Sequence, residues 1–316
     1  MKEIVIISGP TASGKSDLAI ALSKRMNGAV ISADSMQVYK GMDIGTAKLK
    51  KSQMQGVEHY LIDILDPAEE FNAAIFCQMA GTCIEDLKKR SYLPIIVGGT
   101  GFYIKALLYG APFKEGETDP KVRARYEEEG RSYGTSYLEE KLKKIDPVSA
   151  EKYTGNRKRI IRALEYHELT GRTLSEKNEE ENRMPPEYDA AHFCITFPRD
   201  ILYERINERV DRMFENGLCE EAGLLYENIG KMSITSRQAI GYKQLFEYFD
   251  GKITLEEAKE KIKKETRHFA KRQLTWFRNQ KDIIMIERNG AEGDEETVEK
   301  MSRIIGLKDH AGKIGL

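Results

Sequence analysis

Ile4-Val5-Ile6-Ile7 is an unbroken apolar, β-branched run, the pattern of a strand buried on both faces of a parallel sheet. Behind it Leu18, Ala19, Ala21 and Leu22 recur at helical spacing, so strand is followed by helix. The strand pattern returns at Ala29-Val30-Ile31-Ser32 and at Leu93-Pro94-Ile95-Ile96-Val97, and a further strand is expected at Tyr60-Leu61-Ile62-Asp63-Ile64-Leu65, closed by Asp66-Pro67. Ala73 to Leu87 predicts an amphipathic helix with Ile75, Met79, Ile84 and Leu87 near one face. Another helix starts at Phe102. His192 to Phe197 reads as a return to the sheet, after which Asp200 is expected to cap a helix carrying Ile201, Ile206, Val210 and Phe214. Thr235 to Tyr242 opens one more helix with Arg237 near its start. The longest helix, 254 to 278, aligns Leu255, Ala258, Ile262, Phe269 and Phe277 in a core stripe, and Ile283 to Ile286 predicts a last strand before a polar helix and tail. Strands alternating with helices define an α/β class with a parallel sheet flanked by helices.

One segment departs from this alternation. Pro112 to Asp119 is a polar, acidic crossing, and Asp119-Pro120 and Asp146-Pro147 each place a capping aspartate before a proline suited to the first helical position. Arg123 to Glu128, Tyr137 to Ile145 and Arg157 to Leu169 read as helices, the last ended by Gly171. No strand pattern occurs before Pro185-Pro186. The expected organisation is therefore a catalytic core of residues 1–112 and 190–316 with an all-helical insertion domain at 113–189.

Charge changes the picture locally. With 50 basic and 51 acidic residues the formal net charge is -1, so no global field advertises a nucleic-acid partner. Between Lys252 and Lys281, however, ten Lys or Arg stand against four Glu. Arg157, Lys158, Arg159 and Arg162 place four cations in six positions without an acid among them, a pattern that suits phosphate-backbone contact. In Gln273-Leu274-Thr275-Trp276-Phe277-Arg278 aromatics interleave with charge, as a surface for phosphates and unstacked bases would require. Cysteines 77, 83, 194 and 219 form no C-x-x-C pair and no zinc spacing; Cys77 and Cys83 read as core residues in a reducing compartment. No apolar run approaches the ~20 residues of a membrane span, and the first residues enter a strand with no signal-peptide pattern. The expectation is a soluble cytoplasmic protein without a membrane partner, a monomer by default.

The candidate chemistry centres on Gly9-Pro10-Thr11-Ala12-Ser13-Gly14-Lys15-Ser16, a G-x-x-x-x-G-K-[ST] match between a strand and a helix. Gly9 and Gly14 let successive N–H groups turn inward on an anion, and the helix dipole adds to them. Lys15 supplies a mobile charge for phosphate oxygens, and the Ser16 hydroxyl is placed to ligate Mg²⁺. Asp34 follows the second strand at the sheet end that faces the loop, where it could act on a substrate; the same position suits a turn or cap aspartate. Gly98-Gly99-Thr100-Gly101 is a second glycine-rich strand end and suggests a second wall of one pocket. From these residues alone a P-loop kinase of a small molecule or nucleotide is the favoured reading, although Val97 runs into Gly98 without the expected Mg²⁺-binding aspartate. A GTP-switched binding protein would need N-K-x-D, which the sequence lacks.

Several stretches together resemble the tRNA dimethylallyltransferase (isopentenyltransferase) family: Gly9 to Ser16, Asp34 to Lys48, Gly98 to Tyr103, Asn156 to Glu165, Ser236 to Tyr242 and Thr266 to Arg278. The phosphate loop is shared with many folds, whereas the block from Asp34 to Lys48 is far more specific. One departure is Glu58 before His59, where the family commonly has proline. The resemblance implies Mg²⁺-assisted transfer of a five-carbon prenyl group from dimethylallyl diphosphate to N6 of adenosine 37 in tRNA, through a channel entered from opposite mouths. On that reading Gly9, Pro10, Thr11, Ala12, Ser13, Gly14, Lys15 and Ser16 bind diphosphate, Asp34 is the general base, and Lys15, Thr11 and Arg237 support the departing charge. Asp34, Ser35, Met36, Gln37 and Thr100 would meet the extruded base, with Gln37 reading adenine through its amide. Arg123, Arg157, Lys158, Arg159, Arg162, Lys271, Arg272, Trp276 and Arg278 would contact the anticodon stem-loop. No structural zinc is expected.

Overall fold

The computed structural model describes residues 2–110, 117–289 and 293–306; residues 112–116 of the expected crossing and the tail from 307 lie outside them. The chain divides into two compact units, Met1–Leu107 with Tyr188–Leu316, and Leu108–Glu187. The first begins with β1 (Ile4–Ser8), α1 (Lys15–Met26), β2 (Gly28–Ser32), β3 (His59–Tyr60), α2 (Ala73–Lys89) and β4 (Leu93–Gly98), and α3 (Gly101–Tyr109) carries the chain into the second. The second holds α4 (Pro120–Ser132), α5 (Thr135–Ile145), α6 (Pro147–Lys152), α7 (Arg157–Thr170) and α8 (Leu174–Arg183). The first unit resumes with β5 (Ala190–Thr196), α9 (Arg199–Glu215), α10 (Leu218–Tyr226), α11 (Ile234–Arg237), α12 (Tyr242–Phe249), α13 (Leu255–Arg278), β6 (Ile284–Glu287) and α14 (Asp294–Gly306).

All strand pairs are parallel, in the order β3-β2-β4-β1-β5-β6. Every residue of β1, β2 and β4 is buried, which is why these segments read as continuous apolar runs instead of alternating ones. One face packs Val5, Ile7, Val30, Ile95 and Phe193 against Leu18 and Leu22 of α1 and Val298, Met301 and Ile305 of α14. Ser8 pairs with Gly98 and Ser32 with Val97, so β1, β2 and β4 finish level with one another. The loops that leave them, beginning at Gly9, Ala33 and Gly99, therefore open at one edge, where ligands bind in open α/β sheets.

The expected third strand is much shorter than its apolar run. Only His59 and Tyr60 pair with β2, because Leu61 and Asp63 adopt left-handed φ values of 59° and 59°; beyond them only Leu65 bridges, to Tyr39. At the position where the resemblance departs from its family, the Glu58 carboxylate accepts from Arg90 Nη2 at 2.5 Å and from the Tyr60 hydroxyl at 2.6 Å, tying this edge to the end of α2. Helix α9 starts one residue before Asp200, with Pro198 at the cap, so Asp200 serves the first turn through its charge alone. Cys77 and Cys83 are half-buried rather than core, and none of the four cysteines is disulfide-bonded. Among the described residues no helix is long and apolar enough to cross a membrane.

The second unit has its own core of Tyr126, Leu138, Leu142, Ala150, Tyr153, Ile160, Ile161 and Leu164. Asp119 caps α4 through the Lys121 N–H and Asp146 caps α6 through the Ser149 N–H, as their prolines predict. Helix α8, which apolar periodicity does not announce, rests on a reciprocal cap between Thr173 and Glu176. Asp146, 2 % exposed, accepts from Ser149 N at 2.9 Å and from Ser175 N at 3.0 Å, so one carboxylate joins α6 to α8. Burial by itself raises its pKa, but the hydrogen bonds from Ser149 and Ser175 outweigh burial and hold it below the ordinary 3.8. This contribution is complete above that ordinary value and is lost as pH falls through the depressed folded one. Asp146→Ala should cost about 1–2 kcal/mol in denaturant unfolding near neutral pH. The gap between variant and parent should close on acidification below 3.8.

Candidate active site

The loop from β1 to α1 has a backbone that only some residues tolerate. Gly9 has φ 144°, and a Cβ there would lie 2.3 Å from the Ile195 carbonyl oxygen; Gly14, with φ 76°, is the left-handed residue before α1. Ala12 also has a positive φ, 63°, and its carbonyl accepts from Arg205 Nε at 2.9 Å. The loop closes on itself, since the Ser13 hydroxyl and the Lys15 ammonium both donate to the Pro10 carbonyl, at 2.8 and 2.6 Å. One N–H does not turn inward. Thr11 N donates to Gln273 Oε1 at 2.9 Å, while Gln273 Nε2 donates to the Gly99 carbonyl at 3.0 Å.

This contact explains the second glycine turn. A Cβ on Gly98 would lie 2.3 Å from the Ala33 carbonyl oxygen, on Gly99 2.1 Å from Gln273 Nε2, and on Gly101 2.2 Å from the Trp276 ring. The three glycines let β2 and α13 approach the end of β4. Trp276, assigned to RNA by resemblance, packs on Gly101, and Gln273 is buried.

Between these walls lies a cavity of about 310 Å³. Thr11, Asp34, Ser35, Met36 and Thr100 line it together, so five residues singled out from sequence share one space. Gly45 and Thr46 form another wall, and Ile206, Val210, Met213, Ile262 and Phe269 supply an apolar one. Phe269 thus faces the cavity and not only the core, and Arg272 reaches the same space. Asp34 takes the turn role: its Oδ1 accepts from Met36 N at 2.9 Å and Gln37 N at 3.2 Å, and the residue also lines the cavity. Gln37 is turned away from this space. Its Nε2 donates to the Thr46 carbonyl at 3.2 Å, and its Oε1 accepts from Ser32 Oγ at 3.4 Å.

Sequence reasoning missed Arg209. It lines the cavity from α9 and its Nη1 donates to Thr11 Oγ1 at 3.4 Å. The available signal was an arginine between core positions Ile206 and Val210, a charge on the buried side of a helix. Burial lowers the pKa of Arg209, with Asp34 opposing; a guanidinium keeps its charge regardless. Burial and the nearby Arg209 push Lys15 down to about 8, against the pull of Asp34. Two cations therefore crowd an aspartate, an arrangement that an incoming polyanion relieves.

Arg237 lies elsewhere. It ends the short α11 instead of opening a helix, its Nε donates to the Ser233 carbonyl at 3.4 Å, and it is not among the cavity-lining residues. Ser16 lies on a small pocket of about 20 Å³ with Ser32, Gln37 and His59. Its hydroxyl takes no side-chain partner among the described residues and offers one hard oxygen to a ligand set made up otherwise of water and substrate. Such a set fits Mg²⁺, which keeps most of its ligands as water and substrate oxygen. No cluster of three or more His, Cys, Asp or Glu that could hold a metal occurs among the described residues.

Arg157, Lys158 and Arg159 are exposed in the first turn of α7, behind the Asn156 cap. Arg123 and Arg162 are partly committed within their unit to the fully buried Glu165, at 2.7 and 3.2 Å. On α13, Lys259 and Lys263 pair with Asp211 and Lys261 with Glu247, whereas Lys271, Arg272 and Arg278 remain exposed.

A parallel sheet of this order, with a glycine loop closing on its own lysine after β1, defines a P-loop-type α/β protein. Residues 37–280 match the family described as IPP transferase, and residues 2–68 match isopentenyl transferase. A tRNA dimethylallyltransferase of Lachnoclostridium phytofermentans is 44% identical over 310 residues, covering 98% of this chain and 99% of that one. One from Thermoanaerobacter pseudethanolicus is 50% identical over 279 residues, covering 87% and 89%. Among solved structures, the tRNA isopentenylpyrophosphate transferase of Bacillus halodurans superposes with a TM-score of 0.73 at 43% identity, covering 97% of this chain and 96% of that one. A eukaryotic dimethylallyltransferase solved acting on tRNA gives 0.79 at 28% identity, covering 96% and 80%. The chain belongs to the IPP transferase family, that of the tRNA dimethylallyltransferases.

With Lys15 titrating near 8, the loop's affinity for inorganic diphosphate should fall several-fold as pH rises through that value. Lys15→Arg, which stays charged, should show a flatter profile. Calorimetric titration across this range checks both.

Proposed function

We propose that this protein transfers the dimethylallyl group of dimethylallyl diphosphate to N6 of the adenosine beside a tRNA anticodon, in the cytoplasm. The observation that carries the reading is one cavity joining a phosphate loop, a carboxylate and an apolar wall. An allylic diphosphate needs all three: cations for its head, an apolar lining for its five carbons, and a proton acceptor for the amine that attacks it.

Diphosphate oxygens would meet Lys15, the N–H groups after Ser13 and the start of α1, with Arg209 beside Thr11. Mg²⁺ held through Ser16 and the substrate's own oxygens would neutralise part of the charge that develops on the leaving group. Ile206, Val210, Met213, Ile262 and Phe269 would hold the prenyl carbons and keep water from the reacting carbon. The exocyclic amine of adenine is a poor nucleophile because its lone pair is delocalised into the ring. As the N6–C bond forms and the C–O bond breaks, the amine's proton goes to Asp34. Two backbone donors fix Asp34 Oδ1, which leaves Oδ2 as the acceptor. Thr100 and Arg272, which also line the cavity, would meet a base extruded from an RNA loop. Exposed Arg157, Lys158 and Arg159, with Lys271 and Arg278, supply phosphate contacts whose strength falls with salt. The kinase reading has no comparable support, since β4 ends in Gly98 where a metal-binding aspartate would be needed.

The test is mass spectrometry of an unmodified anticodon stem-loop incubated with the protein, Mg²⁺ and dimethylallyl diphosphate, beside a sample given ATP instead. A five-carbon mass gain on the adenosine next to the anticodon is expected, and ATP turnover without that gain would overturn the reading. In the same assay Asp34→Asn should lose about 10²–10⁴ in turnover while keeping its affinity for diphosphate.

A further inference from the structure

The segment Asp43-Ile44-Gly45 turns three successive backbone N–H groups toward one point, and a carboxylate from another part of the chain fills it. Glu221 on α10 accepts from Asp43 N at 3.0 Å, from Ile44 N at 2.8 Å and from Gly45 N at 3.1 Å. Its Oε1 also accepts from the hydroxyl of the fully buried Tyr242, at 2.5 Å. Successive N–H groups converging in this way form an anion nest, and a charged acceptor makes each bond stronger than a neutral one would. Gly45 is required by the same contact, since a Cβ there would lie 2.6 Å from the Tyr242 ring.

The seated segment is a wall of the reaction cavity, which Gly45 and Thr46 line. It is also coupled to the end of β2. Thr46 offers its carbonyl to Gln37 Nε2, and Gln37 N donates to the Asp34 carboxylate. Lys48 closes the far end of the segment, donating to the Tyr39 carbonyl at 2.6 Å and pairing with Asp43 at 2.5 Å and Asp63 at 2.9 Å. None of these contacts involves residues 9–16. A change at Glu221 therefore reaches the wall beside Asp34 and leaves the phosphate loop in place.

We propose that Glu221 is a positioning residue for the nucleoside acceptor: its carboxylate in the nest of Asp43, Ile44 and Gly45 sets the Gly45-Thr46 wall and, through Thr46 and Gln37, the turn that holds Asp34. The proposal rests on the acceptor reading above. Glutamine does not replace the carboxylate, because its amide N–H₂ would face backbone N–H groups and one acceptor oxygen would be lost.

The experiment measures steady-state kinetics on the stem-loop and backbone amide exchange for the parent, Glu221→Gln, Glu221→Ala and Tyr242→Phe. Both Glu221 variants should raise KM for the stem-loop about tenfold and leave KM for dimethylallyl diphosphate within about twofold. Exchange at 43–45 should quicken about tenfold while β1 and α1 stay protected. Tyr242→Phe, which removes one of the carboxylate's donors, should shift the stem-loop KM in the same direction by about threefold, and it decides the kinetic question alone if the Glu221 variants do not fold. Unchanged exchange at 43–45, an unchanged stem-loop KM, or both KM values rising together would overturn the proposal. A parent enzyme that leaves the stem-loop unmodified counts against the functional reading instead, and the exchange arm then decides whether Glu221 seats the segment.

Discussion

The Gln273 side chain joins two turns that leave different strands, with its amide oxygen on the Thr11 N–H and its amide nitrogen on the Gly99 carbonyl. A buried amide satisfied on both sides is a strict constraint. Removing either partner leaves a polar group in the interior at a cost of about 1–3 kcal/mol. It also fixes α13 against the open end of the sheet, and with it Phe269 and Arg272 on the cavity wall. The phosphate loop is shaped by its own closure on Pro10, but its position relative to the rest of the pocket depends on this contact and on Arg205 at the Ala12 carbonyl.

That position brings like charges together. Lys15 and Arg209 lie near one another and near Asp34, and burial disfavours the charged state of both cations. The folded protein holds this arrangement because the fold is stable for other reasons, chiefly the fully buried strands β1, β2 and β4. On the proposed function a diphosphate would supply the missing negative charge, and an unfavourable feature of the free protein would become selectivity for a polyanion. The apolar wall contributed by α9 and α13 would, on that same function, separate a prenyl diphosphate from a bare one.

How far the sequence foretold this depends on what each residue's neighbours are. The strands whose residues are all buried, and the Asp-Pro helix starts, announce themselves because their causes are local: burial on both faces and capping. The run 60–65 misleads because composition does not report φ, and two left-handed residues stop the strand. Helix α8 escapes an apolar-periodicity argument since its start is encoded by the Thr173–Glu176 cap. At the site, Thr11, Asp34 and Thr100 converge as their strand ends require, whereas Arg209 and Gln273 come from helices far along the chain. The glycine turn after β4 is visible as a motif, but its reasons, Ala33, Gln273 and Trp276, are tertiary.

Charge counting needs the same correction. Five of the cations that made the insertion and the last long helix look basic, Arg123, Arg162, Lys259, Lys261 and Lys263, are paired with Glu165, Asp211 or Glu247. A cation so held contributes less to long-range attraction than its formal charge implies; the exposed cations include Arg157, Lys158 and Arg159 in the first turn of α7 and, on α13, Lys264, Lys271, Arg272 and Arg278. The block from Asp34 to Lys48 follows a similar logic. Gly45, Thr46 and Lys48 shape the segment beside the cavity, and Asp34 alone among these four is suited to accept a proton. A dense motif in this protein therefore records backbone geometry as much as side-chain chemistry.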